Sequence, residues 1–276
     1  MRRTIITLSL VLIALTPVAA FGQDASPVGA HSTPLEILGA RPFLEASYGM
    51  AAPQFKGSDI DFETVGLLDF KLGWVALDSI HPGVTSLMQS YIFGSWANGD
   101  LGSSGSETDV GSKLTRFGGG NRLGYGYQGQ SVGLDLYNQN SLNWSKFTSA
   151  DEPVPNAEAA AVFDRYGSKY RFGQIMEAGA GLRFTDRFAL TAGAEGSIIY
   201  PRYVFWPWLG STLIYSTVQG IVEYFADDVM RANAGLGPVL YFLLKTGVSA
   251  GFYALSREDM NWPFSSEKPV TVATWR

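Results

Sequence analysis

The chain has no cysteine and only two histidines. The first absence removes structural disulfides, thiolate metal sites and cysteine nucleophiles together. The second leaves His31 in a proline-bearing segment and His81 ahead of Pro82 in a predicted turn. Neither histidine lies in an alternating strand, where it could face a serine across a sheet and deacylate a lipid. Charge is scarce as well: Asp, Glu, Lys and Arg make up 16% of the residues, with a net charge of -5 and a pI near 5.1. No basic stripe is present, which excludes the concentrated phosphate contacts that a nucleic-acid partner needs. No Gly-x-Ser-x-Gly elbow occurs, and Gly118-Gly119-Gly120 lacks the strand-to-helix setting of a phosphate loop. Those glycines suit backbone curvature instead. Asp59, Asp61 and Glu63 alternate, but three carboxylates fall short of the six or more oxygens that calcium takes, so they read as a solvated rim. No cofactor or metal is expected.

Glycine and aromatic residues are plentiful: 32 glycines, and 13% Phe, Trp and Tyr. They fall into a pattern that is clearest from Met176 to Tyr200. Met176, Ala178, Ala180, Leu182 and Phe184 alternate with Glu177, Gly179, Gly181 and Arg183. After the turn Thr185-Asp186, Phe188, Leu190, Ala192, Ala194 and Ile198 alternate with Arg187, Thr191, Gly193, Glu195 and Ser197. Successive strand side chains point to opposite faces, so one face is apolar and the other carries charge and glycine. The same code repeats in Leu44 to Met50 and in Thr64 to Ala76, where Leu68, Phe70, Leu72 and Trp74 oppose Asp69, Lys71 and Gly73. From Leu114 the phase is odd, with Phe117, Leu123, Tyr125 and Tyr127 on the apolar side and Arg116 and Arg122 on the other. The chain returns through Val132, Leu134 and Leu136, with Asp135 opposite. An apolar outside and a polar lumen on every strand is the requirement of a membrane barrel.

The N-terminus has the layout of a secretory signal: Arg2 and Arg3, the run Ile5 to Leu15, then small residues around Ala20 and Gly22. A run of about eleven residues is too short to span a bilayer. Residues 1–22 are therefore read as a cleaved signal peptide, 23–42 as a linker with prolines at 27, 34 and 42, and 43–276 as the barrel. Asn98 to Lys113 and Thr148 to Ala160 read as long external loops, and Tyr166 to Phe172 as an extension of the strand that follows.

Two segments depart from the strand pattern. Leu213, Ile214, Thr217, Val218, Ile221, Val222, Phe225, Val229 and Met230 recur at three-to-four spacing, which predicts an amphipathic helix over 209–231. It is expected to plug the lumen, lie on the membrane surface, or extend a strand into a loop. Ala234 to Leu255 carries only Lys245 as a formal charge and is long enough for a membrane helix, yet its residues alternate and favour a strand. Val270 to Arg276 begins a strand that ends without a terminal phenylalanine, so either the chain is truncated or the closing strand is short.

The expected fold is an all-β, antiparallel transmembrane barrel of about 10–12 strands with one helical insertion. Asp69, Lys71, Arg116, Arg122, Asp135, Glu177, Arg183, Arg187, Glu195 and Lys245 are the candidate lumen-lining residues, beside Glu45 and Arg171. Their mixed signs suit either a channel lining or a salt-bridged filling. Pro53-Gln54-Phe55-Lys56-Gly57-Ser58-Asp59, with Thr64 to Phe70 after it, resembles the early Pro-x-Tyr-x-Gly-Ser-Asp hairpin of the MipA/OmpV outer-membrane barrels, with Phe55 in place of tyrosine. That resemblance implies a barrel of about twelve strands serving as a scaffold or passive pore. The expectation is a monomeric, non-enzymatic outer-membrane protein whose partners are outer-membrane lipid and periplasmic cell-wall proteins, with no nucleic acid. The alternatives are a barrel enzyme acting on outer-membrane lipid, or a secreted soluble barrel that binds a hydrophobic ligand with the apolar parity facing inward.

Overall fold

The computed structural model describes residues 40–276 apart from 107, 152, 155 and 186. The expected signal peptide, nearly all of the linker and His31 lie outside the described residues. Eight antiparallel strands pair in sequence order, and the first pairs with the last to close a ring. They are β1 (Arg41–Phe55), β2 (Thr64–His81), β3 (Val84–Ser104), β4 (Ser112–Gln128), β5 (Gly133–Ser149), β6 (Arg171–Thr185), β7 (Phe188–Ile199) and β8 (Val270–Trp275). Three helices interrupt them: α1 (Ala157–Gly167), α2 (Phe205–Ala232) and α3 (Gly237–Ser256).

Register fixes the geometry of the ring. Following paired residues from Phe43 through Gly73, Tyr91, Gly120, Ser141, Ile175, Ser197 and Val272 returns to β1 at Pro53, ten residues further on. Such a stagger tilts the strands by roughly 40° and, at eight strands, leaves an interior just wide enough for side chains. All the short connections lie at one end. The β2–β3 turn is Pro82-Gly83, with Gly83 at φ 77, a left-handed conformation that a side chain would strain. The long connections, including every helix, lie at the other end.

Three expectations are corrected. Among the described residues the strand number is eight, below the expected 10–12, because strands are long (β3 has 21 residues) and helices take up much of the remaining chain. Tyr166 does not extend β6. It ends α1, whose N-cap Asn156 accepts a 2.7 Å bond from the Ala159 amide and whose buried residues Ala159, Val162, Phe163 and Tyr166 follow helical spacing. Finally, 234–255 is not a strand. Pro238 opens α3, and the buried residues Tyr241, Lys245, Ser249, Phe252 and Ser256 recur every three or four positions. The α2 helix forms where expected, with Pro207 tolerated in its first turn.

Candidate functional site

The ring's interior is stacked in layers. Nearest the long connections, α1 stoppers the mouth with Val162, Phe163 and Tyr166 packed on inward residues Leu67, Leu114, Phe147, Val270 and Val272. Phe62, Phe147 and Phe163 meet edge-on or tilted at centroid distances of 5.2–5.8 Å. Burial pushes the Tyr166 hydroxyl up to about 12.

Beneath this apolar layer lies a closed cluster of four carboxylates and four cations, Glu45, Asp69, Glu177 and Glu195 with Lys71, Arg116, Arg122 and Arg276. Glu45 accepts from Lys71 at 2.8 Å and from both terminal nitrogens of Arg122 at 2.7 and 3.0 Å. Glu177 accepts from the Tyr137 hydroxyl at 3.0 Å, from Gln139 at 2.7 Å and from Arg276. Glu195 joins Arg116 at 2.5 Å to Arg276 at 3.0 Å, and Ser95 takes the Arg116 Nε–H at 2.6 Å. Each carboxylate thus touches at least two cations, and the formal charges cancel. Buried charges persist in proteins when paired and hydrogen-bonded in this way. Toward the short turns, Arg183 grips both oxygens of Asp135 at 3.1 and 3.2 Å and also reaches Thr85.

Of the sequence-predicted lining residues, Asp69, Lys71, Arg116, Arg122, Glu177 and Glu195 are brought together, and Asp135 with Arg183 forms a separate pair. Arg187 does not join them, since it sits exposed in the β6–β7 turn. Lys245 is on α3, outside the ring, paired with Glu223 of α2 at 3.0 Å. Arg171 sits at the mouth, where it bonds the Arg165 carbonyl. Arg276 was missed. Inward Val270, Val272 and Thr274 occupy the even positions of β8, and that parity carries Arg276 inward too. His81 ends β2 beside its turn, and among the described residues no group of three His, Cys, Asp or Glu side chains could hold a metal ion.

A second concentration of polar groups lies outside the ring. In the hairpin of α2 and α3, α3 packs on the outer faces of β4 to β7 and α2 packs on α3. There Asn138 donates to Thr246 at 3.0 Å, the Tyr215 hydroxyl meets Asn140 at 2.8 Å and Ser249 at 2.9 Å, and Gln219 donates to Ser249 at 2.9 Å. Gln174 reaches Thr212 at 3.3 Å. Away from the hairpin, most outward residues are apolar and exposed: Leu44 at 74%, Ile92 at 63%, and Phe70, Leu72, Trp74 and Trp96 beside them, with the Ser90–Asn121 pair a polar exception. No family model, curated protein or solved structure matches the chain.

Proposed function

We propose that this chain is an outer-membrane β-barrel with a structural, scaffold role, monomeric and surrounded by lipid, whose filled interior passes no solute. The observation that carries this reading is the pairing of an exposed apolar wall with a charge-neutral interior under an apolar stopper. An apolar outside suits hydrocarbon, where ring closure satisfies backbone groups that an open sheet edge would leave bare. A soluble barrel holding a hydrophobic ligand would carry the opposite parity. An open channel needs water along its axis, and here side chains that grip one another occupy that space. The MipA/OmpV resemblance implies a scaffold or a passive pore, in a barrel of about twelve strands where this ring has eight. Clustering of all long connections at one end fits the outer-membrane arrangement of long external loops and short periplasmic turns.

Outer-membrane extraction followed by gel electrophoresis, with and without heating, tests the address. Heat-modifiable migration is expected, and native protein in a detergent-free soluble fraction overturns it. Planar-bilayer recording tests the filled interior: the reconstituted barrel is expected to be silent, and steady conductance steps would establish a pore instead.

A further inference from the structure

The α2–α3 hairpin differs from a helix pair in a water-soluble protein in what it leaves uncovered. Its covered stripe is mixed, with Ser211, Gln219, Lys245, Ser249 and Ser256 buried beside Ala226, Met230, Tyr241 and Phe252. Its uncovered stripe is apolar, with Ile221 64% and Leu243 58% exposed alongside Leu213, Val218, Phe225 and Val239. Between Trp208 and Asp227, α2 holds a single charge, Glu223, and α3 holds only Lys245. These two neutralise each other within the hairpin.

The path of the hairpin is equally specific. α2 leaves the long-connection end, where Thr212 meets Gln174 near the start of β6, and reaches Tyr125 through Asp227 at 3.4 Å. The α2–α3 turn lies at the far end, with the Tyr127 hydroxyl donating to the Gly235 carbonyl at 2.6 Å beside the end of β4. α3 then climbs back past Asn138 and Met176 until Arg257, just beyond its end, bonds Gln54. Helices of 28 and 20 residues are long enough for this descent and return, since about 20 helical residues cross a hydrocarbon core of about 30 Å. Aromatic residues Tyr203, Phe205, Trp206 and Trp208 gather at one end of α2, and Asp227, Asp228 and Arg231 at the other. That order matches the aromatic and charged limits of a membrane-crossing element.

We propose that α2 and α3 form a bilayer-embedded hairpin strapped to the barrel, with its outward face against lipid acyl chains at the same depth as the apolar strand wall. The proposal rests on the membrane reading above. The occupant is hydrocarbon because the hairpin's exposed apolar face continues the exposed apolar wall of the strands. Polar side chains between helix and wall are then held as interhelical polar contacts are in lipid.

The absence of cysteine makes the test direct. In the full chain reconstituted in liposomes, single variants Leu72→Cys and Ile92→Cys mark the wall, Ile221→Cys and Leu243→Cys mark the hairpin, and Lys169→Cys marks water. Folding of each is checked by heat-modifiable migration, and Val218→Cys or Val239→Cys replaces a hairpin variant that fails. A membrane-impermeant maleimide is expected to label positions 221 and 243 as slowly as 72 and 92, and all four much more slowly than 169. Labelling of 221 and 243 at the rate of 169, with 72 and 92 still protected, overturns the embedded hairpin and leaves the membrane barrel standing. Loss of protection at all four overturns the membrane reading itself. In intact cells, Asn233→Cys in the turn is expected to label only after the outer membrane is permeabilised, and labelling without permeabilisation overturns the crossing.

Discussion

The outer surface of β1 to β3 and the patch of β4 to β7 beneath the hairpin belong to one continuous sheet, yet buried amides stand among the apolar residues Phe172, Met176 and Ile198 only in the second. The first presents Leu44, Leu72, Trp74 and Ile92; the second presents Asn138, Asn140 and Gln174. Strand propensity does not account for this, because asparagine is depleted in strands. What differs is the neighbour. Where helices bring hydroxyls, an amide and backbone turns, the strands answer with amides. Where nothing in the fold covers them, they answer mainly with hydrocarbon, the exposed pair Ser90 and Asn121 at 2.7 Å being the exception. Buried amides on the outer face therefore mark where the helices lie against the strands.

The most severe way to break this contrast is to remove the cover. Replacing residues 201–259 by a short linker exposes Asn138, Asn140 and Gln174 at a cost of about 1–3 kcal/mol each. The shortened chain is expected to lose heat-modifiable migration, and changing those three residues to leucine in the same background is expected to restore it. If leucine gives no rescue, the hairpin supports the wall in another way. Next comes the shared interior. Glu177→Ala strips one carboxylate from three cations and should cost about 3–5 kcal/mol, read as a lower urea midpoint for release of both wall and hairpin together. A third variant sharpens the contrast from the uncovered side: Leu72→Arg is expected to destabilise the barrel by about 2–4 kcal/mol in bilayers. Equilibrium unfolding from liposomes would register it. The smallest effect belongs to the covered patch, where Asn138→Leu loses the Thr246 bond at about 0.6 kcal/mol. A cost as large as that of Leu72→Arg would mean that the two surfaces do not differ as described.

Much of this was legible in the sequence because a side-chain period of two is hard to mimic over a dozen residues. The parity of β1, β2, β4 and β6 is readable from their residues, and so is the meeting of Asp69, Lys71, Arg122 and Glu177 on one face. The helices were harder. In α2 the period is plain, but the apolar stripe naturally reads as the buried one, and only the surroundings reverse it. In α3, Gly247 and Gly251 fall between larger residues and imitate alternation, while the deciding signal is the four-residue spacing of Tyr241, Lys245 and Ser249. α1 was hidden by Pro153 and Pro155 just before it and by a strand parity that runs back from Met176 past its true start. Arg276 is hidden by position, one residue beyond the end of a short strand.

That last residue ties topology to charge. β8 is six residues long and forms the entire join between β1 and β7. Its pairing with β1 links residues more than two hundred positions apart, the kind of contact whose chain entropy makes it form late. Before it forms, the interior holds Glu45, Asp69, Glu177 and Glu195 against Lys71, Arg116 and Arg122, one anion in excess. Docking β8 delivers the guanidinium of Arg276 to Asp69, Glu177 and Glu195 in the same step. Closure and electroneutrality are thus a single event, and Arg276 acts as a latch that holds only when the ring is complete.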